Sequence, residues 1–131
     1  MTMRMMLGLA AAAALIGPAG VAQAQGAPGG DAVKGVATFK MQCTACHSVD
    51  PGVEGAAPNL RGVIGRKAGS DAKFTAYTPA IKASKIVWTP ASLDSFLSGP
   101  AKLIPGTAMP ITLPDPKMRR DVIAYLASLH K

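Results

Sequence analysis

Two thiols and an imidazole fall within five residues of this chain: Cys43, Cys46 and His47, in the run "QCTACHSV" from Gln42 to Val49. They are both of its cysteines and one of its two histidines. On a helical turn, positions three and four apart are neighbours, so the three side chains point to one side. Three chemistries use such a set: a redox dithiol, half of a zinc site, or a covalent anchor for haem. A thioredoxin-like dithiol needs a strand before it and a parallel sheet around it, and no strand alternation is visible. Zinc needs four ligands, and His130 near the C-terminus is the only other histidine. Cys-x-x-Cys-His is the attachment spacing of c-type haem. There two thiols add to the two vinyl groups of one porphyrin edge, and the imidazole reaches the iron as an axial ligand.

A histidine on one face of the iron leaves the other to be filled. The stretch "LIPGTAMPI", Leu103 to Ile111, offers Met109. A methionine is most often core filler, and Met41 and Met118 are read that way. Met109 instead sits in a loop stiffened by Pro105, Gly106 and Pro110, where no helical period explains it. A thioether is a soft, neutral ligand that favours ferrous iron, so His/Met ligation raises the reduction potential. It also closes both axial positions to substrate.

Other elements must hold these residues in place. Ala32, Gly35, Val36, Phe39 and Cys43 follow the i, i+3, i+4, i+7, i+11 spacing of one helix face, with Asp31 as N-cap. Gly35 mid-helix costs ~1 kcal/mol relative to alanine, and is either a tolerated weakness or a point where another helix crosses closely. Thr78-Pro79, Thr89-Pro90 and Asp115-Pro116 each set a capping side chain before a proline at the first helical position. The helix from Pro79 is short and polar. The helix from Pro90 carries Leu93, Phe96 and Leu97 and stops at Gly99-Pro100. The last carries Met118, Val122, Tyr125, Leu126 and Leu129 on one face. Between Asp50 and Tyr77 runs a long loop, which needs something to fill the space it encloses.

The 131 residues amount to one domain. Only 5% are aromatic, so a small core would gain much from an extra hydrophobic body at its centre. The N-terminus reads as a secretory signal peptide: Arg4, then an apolar run from Met5 to Ile16, then a small-residue exit. That run is shorter than the ~20 residues of a membrane-spanning helix. Ala22-Gln23-Ala24 fits the cleavage site. The expected organisation is a cleaved signal at 1–24, a flexible lead-in at 25–30 and a folded domain at 31–131. Loss of Arg4 takes the net charge from +7 to +6. Nucleic acid is a poor fit, because no aromatic or groove-reading motif accompanies the basic residues.

From about Gly30 to its C-terminus the chain resembles the class I monohaem cytochromes c, of the bacterial periplasmic and mitochondrial type. The resemblance is carried by "GDAVKGVATFKMQCTACHSV", "APNLRGVIGR", "IVWTPASL", "IPGTAMP" and "DVIAYLASL", in the family's order and spacing. It implies an all-α fold of about four to five short helices wrapped around one covalently bound haem c. The first and last helices would cross near Gly35, Phe39 and Tyr125. Pro58 matches the proline whose carbonyl accepts a hydrogen bond from the haem histidine. Arg66, Tyr77 and Trp88 match residues that hydrogen-bond around the inner haem propionates, and Thr107 matches a residue of the methionine loop. Phe96 and Ile81 depart from the mitochondrial branch, which usually has tyrosine and asparagine there. That branch also carries lysines at the positions of Gln42, Ala101 and Ala108.

The expected function is that of a periplasmic, monomeric electron carrier without catalysis of its own. Its partners would be transient: a membrane oxidase or reductase, or a soluble dehydrogenase. Two readings compete with it, a haem enzyme acting on peroxide or a small gas with a dissociable Met109, and a thiol oxidoreductase.

Overall fold

The computed structural model describes residues 29–130. The expected signal peptide at 1–24, and most of the lead-in, lie outside the described residues. Five helices follow one another: α1 (Ala32–Gln42), α2 (Pro79–Ala83), α3 (Pro90–Ser98), α4 (Pro100–Leu103) and α5 (Pro116–Ser128). The only β pairing among the described residues is an isolated antiparallel bridge between Lys67 and Val87.

The helix starts follow from their caps. The Asp31 carboxylate accepts from the backbone N–H groups of Val33 and Lys34, and the Thr78 hydroxyl from that of Ile81. Thr89 and Ser92 form a reciprocal capping box, and Asp115 accepts from Lys117 N–H. Each such cap satisfies a donor that has no partner inside the helix. Helix α4 departs from the sequence reading, in which Gly99-Pro100 only ends a helix. Pro100 stops α3 and at the same time occupies the first position of α4, where its missing N–H costs nothing.

Helix α1 packs chiefly on α5, and α5 also packs on α3. At the first crossing the backbones nearly touch. A Cβ on Gly35 would meet the Asp121 carbonyl oxygen and lie 2.7 Å from the Tyr125 Cβ. One turn further, the Phe39 and Tyr125 rings meet edge-to-face, with centroids 5.6 Å apart. Phe39, Val63, Leu93, Leu97, Leu113, Val122, Ile123 and Leu126 make the shared core. Met41 corrects the sequence reading: it is 73% exposed, not core filler, because it lies on the face of α1 turned away from α5. Met118 is half-buried.

Candidate functional site

The end of α1 delivers the first three residues. Its last backbone bonds continue past the helix, with Cys43 N–H donating to the Phe39 carbonyl and His47 N–H to that of Cys43. That extra turn sets Cys43, Cys46 and His47 on one side of the chain. The thiols are not joined to each other. Burial pushes the Cys43 thiol up to about 11, so it is protonated at neutral pH. A thiol raised in this way is a poor nucleophile, so Cys43 is not the activated thiol that a redox dithiol would use.

The His47 imidazole is anchored on one nitrogen. Its Nδ1 lies 2.7 Å from the Pro58 carbonyl oxygen. A carbonyl only accepts, so Nδ1 carries the proton and Nε2 keeps its lone pair free for a metal. Burial lowers the pKa of the ring, and the nearby positive charge of Arg66 lowers it further, against the opposing effect of the Pro58 bond. The ring is thereby held in the neutral form that ligates iron.

Met109 sits on a loop held at three points. Its own N–H donates to the Thr107 hydroxyl at 3.3 Å, and Thr107 N–H donates to the Ile104 carbonyl. Gly106 takes a φ of 91°, a left-handed conformation that suits glycine, with its Cα against Ala80 of α2. Downstream, Leu113 N–H donates to the Leu97 carbonyl at 2.8 Å, and Arg119 reaches the carbonyls of Leu113 and Pro114 and the carboxylate of Asp94. Met109 itself is half-buried and packs against the core.

The bridge between Lys67 and Val87 brings Arg66 and Trp88 together. Trp88 N–H donates to the Arg66 carbonyl at 2.9 Å, and Gly65 N–H to that of Trp88 at 2.7 Å. The Trp88 ring lies on Phe96, with centroids 5.0 Å apart. The Arg66 guanidinium donates to the Asn59 carbonyl at 2.6 Å and to the Asp71 carboxylate at 3.0 Å. Tyr77 joins this group: burial raises its hydroxyl pKa, while an Asp71 backbone hydrogen bond and the Arg66 charge hold it down. Its ring meets Phe74 edge-to-face at 4.9 Å.

Three residues of this region were not singled out in the sequence. Asn59 is buried, donates to the carbonyls of Asp50 and Val53, and accepts from Arg61 N–H. Arg61 donates from Nε to the Val49 carbonyl, and Asp71 pairs with Arg66. These contacts reach irregular backbone, which no periodicity reveals.

Whether these residues suit a haem can be judged from the donor set and its surroundings. Two unpaired thiols and a free imidazole lone pair share one turn. Leu60, Ile64, Trp88, Met109 and Tyr125 rest, like Cys43, on the core without being fully buried by protein. A flat apolar body fits against such side chains and would supply the contact area that the chain's few aromatic residues do not. The residues fit the group.

The Cytochrome c family model matches residues 32–130. The chain is 50% identical over 103 residues to "Cytochrome c" of Tetrahymena pyriformis, covering 78% of this chain and 92% of that protein. It is 43% identical over 119 residues to "Cytochrome c2" of Rhodomicrobium vannielii, covering 89% and 94%. Among solved structures, cytochrome cH from Methylobacterium extorquens superposes with a TM-score of 0.68 at 42% identity, covering 74% of this chain and 97% of that one.

Proposed function

We propose that this chain, which belongs to the cytochrome c family and carries one covalently bound haem c on Cys43 and Cys46, is a periplasmic electron carrier with His47 and Met109 as its axial ligands. The observation that carries the ligand assignment is the Pro58 hydrogen bond, which leaves His47 Nε2 unprotonated. Met109 is supported as its counterpart by its loop, anchored through Thr107, Gly106 and Leu113 rather than through a helix face.

The bound iron supplies a one-electron ferric/ferrous couple. Cys43 and Cys46 fix the orientation of the porphyrin edge, and Pro58 fixes the tautomer and plane of the His47 ring. Thr107 and the left-handed Gly106 aim the Met109 sulfur. With His47 and Met109 both holding the iron, no iron site would be left to a substrate, which would favour transfer over catalysis.

Export rests on the N-terminal pattern from Arg4 to Ala24. No helix among the described residues is long and apolar enough to cross a membrane. The organisation proposed is a cleaved 1–24, a lead-in at 25–30 and a carrier domain at 31–131, acting as a monomer with short-lived redox partners. Arg66, Tyr77 and Trp88 are proposed to face the haem propionates; support comes from the bridge that sets Arg66 beside Trp88 and from the Arg66 charge acting on Tyr77.

The test is the ferric visible spectrum of protein matured in a host with haem-attachment machinery. A sulfur-to-iron charge-transfer band is expected. A high-spin spectrum without that band would point to an open sixth position and to the enzymatic reading.

A further inference from the structure

A line of polar contacts, joined by one backbone step, leads from the proposed iron ligand to an aspartate outside every motif of the sequence. His47 Nδ1 donates to the Pro58 carbonyl at 2.7 Å. The next carbonyl along the chain, that of Asn59, accepts from the Arg66 guanidinium at 2.6 Å. The other arm of that guanidinium donates to Asp71 Oδ2 at 3.0 Å. The second carboxylate oxygen of Asp71 accepts from Lys73 N–H at 3.1 Å, so both oxygens are committed. Arg66 and Asp71 are only 11% and 14% exposed in their side chains, and the pair forms part of the wall of a cavity of about 450 Å³.

The parts of this line are fixed. Asn59 is held by four hydrogen bonds, two from its Nδ2, one at its Oδ1 and one at its carbonyl. Arg66 is tied at its backbone by Val63 and Trp88. Arg66 is bonded to the carbonyl of Asn59, the residue next to the Pro58 acceptor of the His47 ring. A screened surface pair would contribute little at such a remove, but a largely covered one keeps its field.

We propose that Asp71 is a positioning residue for the redox centre: it holds Arg66 against the Asn59 carbonyl and offsets its charge behind His47, and so lowers the reduction potential. The reasoning is electrostatic. Ferric iron carries one more positive charge than ferrous iron, so a fixed carboxylate nearby favours the ferric state. Arg66 alone would favour the ferrous state. The pair sets the potential between those limits.

The inference rests on the haem reading above, and each variant is therefore first checked for covalent haem and an unchanged low-spin spectrum. Absence of covalent haem from the wild-type protein would defeat that reading, whatever the potentials do. With haem in place, spectroelectrochemical titration of Asp71→Asn is expected to raise the ferrous-to-ferric ratio about threefold at fixed potential, about 28 mV at ~59 mV per tenfold for one electron. Asp71→Glu, which keeps the charge, is expected to stay near wild type. An unchanged potential in Asp71→Asn, or an equal rise in Asp71→Glu, would overturn the proposal. Where Asp71→Asn alone does not fold, the pair Arg66→Gln and Arg66→Gln/Asp71→Asn decides it. The single variant lowers the potential and the double variant, neutral in total charge, returns towards wild type; a double variant as low as the single one would overturn the assignment.

Discussion

The Cα of Gly35 in α1 sits so close to the Asp121 carbonyl of α5 that no side chain fits between the two helices. An alanine at position 35 would also collide with the Tyr125 Cβ, 2.7 Å from its own. Gly35→Ala gains helix propensity, but overpacking costs roughly 1–3 kcal/mol and wins. Urea unfolding should show a lower midpoint for Gly35→Ala. Val33→Ala, on an exposed site of the same helix, should barely move it. Equal midpoints for Gly35→Ala and wild type would mean that the helices can separate without cost.

The covalent anchor makes the second prediction. Cys43 and Cys46 each contribute one thioether, so Cys43→Ala or Cys46→Ala should leave a single bond and poor maturation. His47→Ala should do worse, since it would lose the proposed iron ligand as well. Denaturing gels stained for haem, followed by acid–organic extraction, measure this: haem should stay with the wild-type chain. Free extraction from the wild-type protein would contradict attachment.

Met109→Ala should admit cyanide, abolish the charge-transfer band and lower the potential by at least a tenfold change in ratio, about 59 mV. Met41→Ala should leave the band and the potential unchanged, because that side chain lies in solvent. Met118→Ala should lower stability slightly and leave the spectrum alone. Were Met118→Ala to lose the band while Met109→Ala kept it, the axial assignment would move to α5.

Much of this arrangement was legible from types and spacing. The caps Asp31, Thr78, Thr89 and Asp115 announced four helix starts, because a capping side chain followed by proline, or by an apolar period, has few other uses. The fifth, α4, was hidden because Gly99-Pro100 reads equally as a stop. Met41 misled because a single methionine near an apolar face carries no sign of which way it points. The Asn59, Arg61 and Asp71 contacts were illegible for a different reason. They run from side chains to carbonyls across an irregular loop, and carbonyls are present at every position of every sequence.

Asp121 ties the two terminal segments together, and this tie should depend on pH. Its Oδ1 accepts from Asp31 N–H at 2.8 Å and its Oδ2 from the Lys117 ammonium at 2.7 Å. The Lys117 bond, then the Asp31 bond, hold its carboxyl below the usual 3.8, and backbone N–H groups at the start of α1 do the same for Asp31. A depressed folded-state pKa means that the stabilisation is complete above the unfolded value. It is lost as pH falls through the folded one. Thermal midpoints should therefore be level near neutrality and drop below about pH 4. Asp121→Asn should be less stable at pH 7 and show a shallower acid drop. A drop as steep as wild type would mean that other carboxylates control acid unfolding.

The last prediction concerns how the carrier meets its partners. It must bind briefly, transfer and leave, so small interfaces and fast dissociation are expected. The net charge of +7, or +6 if a cleaved 1–24 takes Arg4 with it, before the haem propionates subtract from it, attracts acidic partners over long range. At short range the positions Gln42, Ala101 and Ala108 are uncharged, while Met41 is exposed next to Gln42 and Ile111 is 38% exposed beyond Met109. Charge should therefore steer the encounter and apolar contact should hold it. Stopped-flow rates with an oxidase or reductase should fall over the first ~0.1 M salt, where the Debye length shrinks to about 10 Å, and then level off. Ile111→Ser should slow transfer at every salt concentration, whereas Lys102→Gln should flatten only the low-salt part of the curve. A rate that keeps falling steeply at high salt would put lysines such as Lys40 and Lys102 in the contact itself, and a rate indifferent to salt would leave the basic surface with no part in docking.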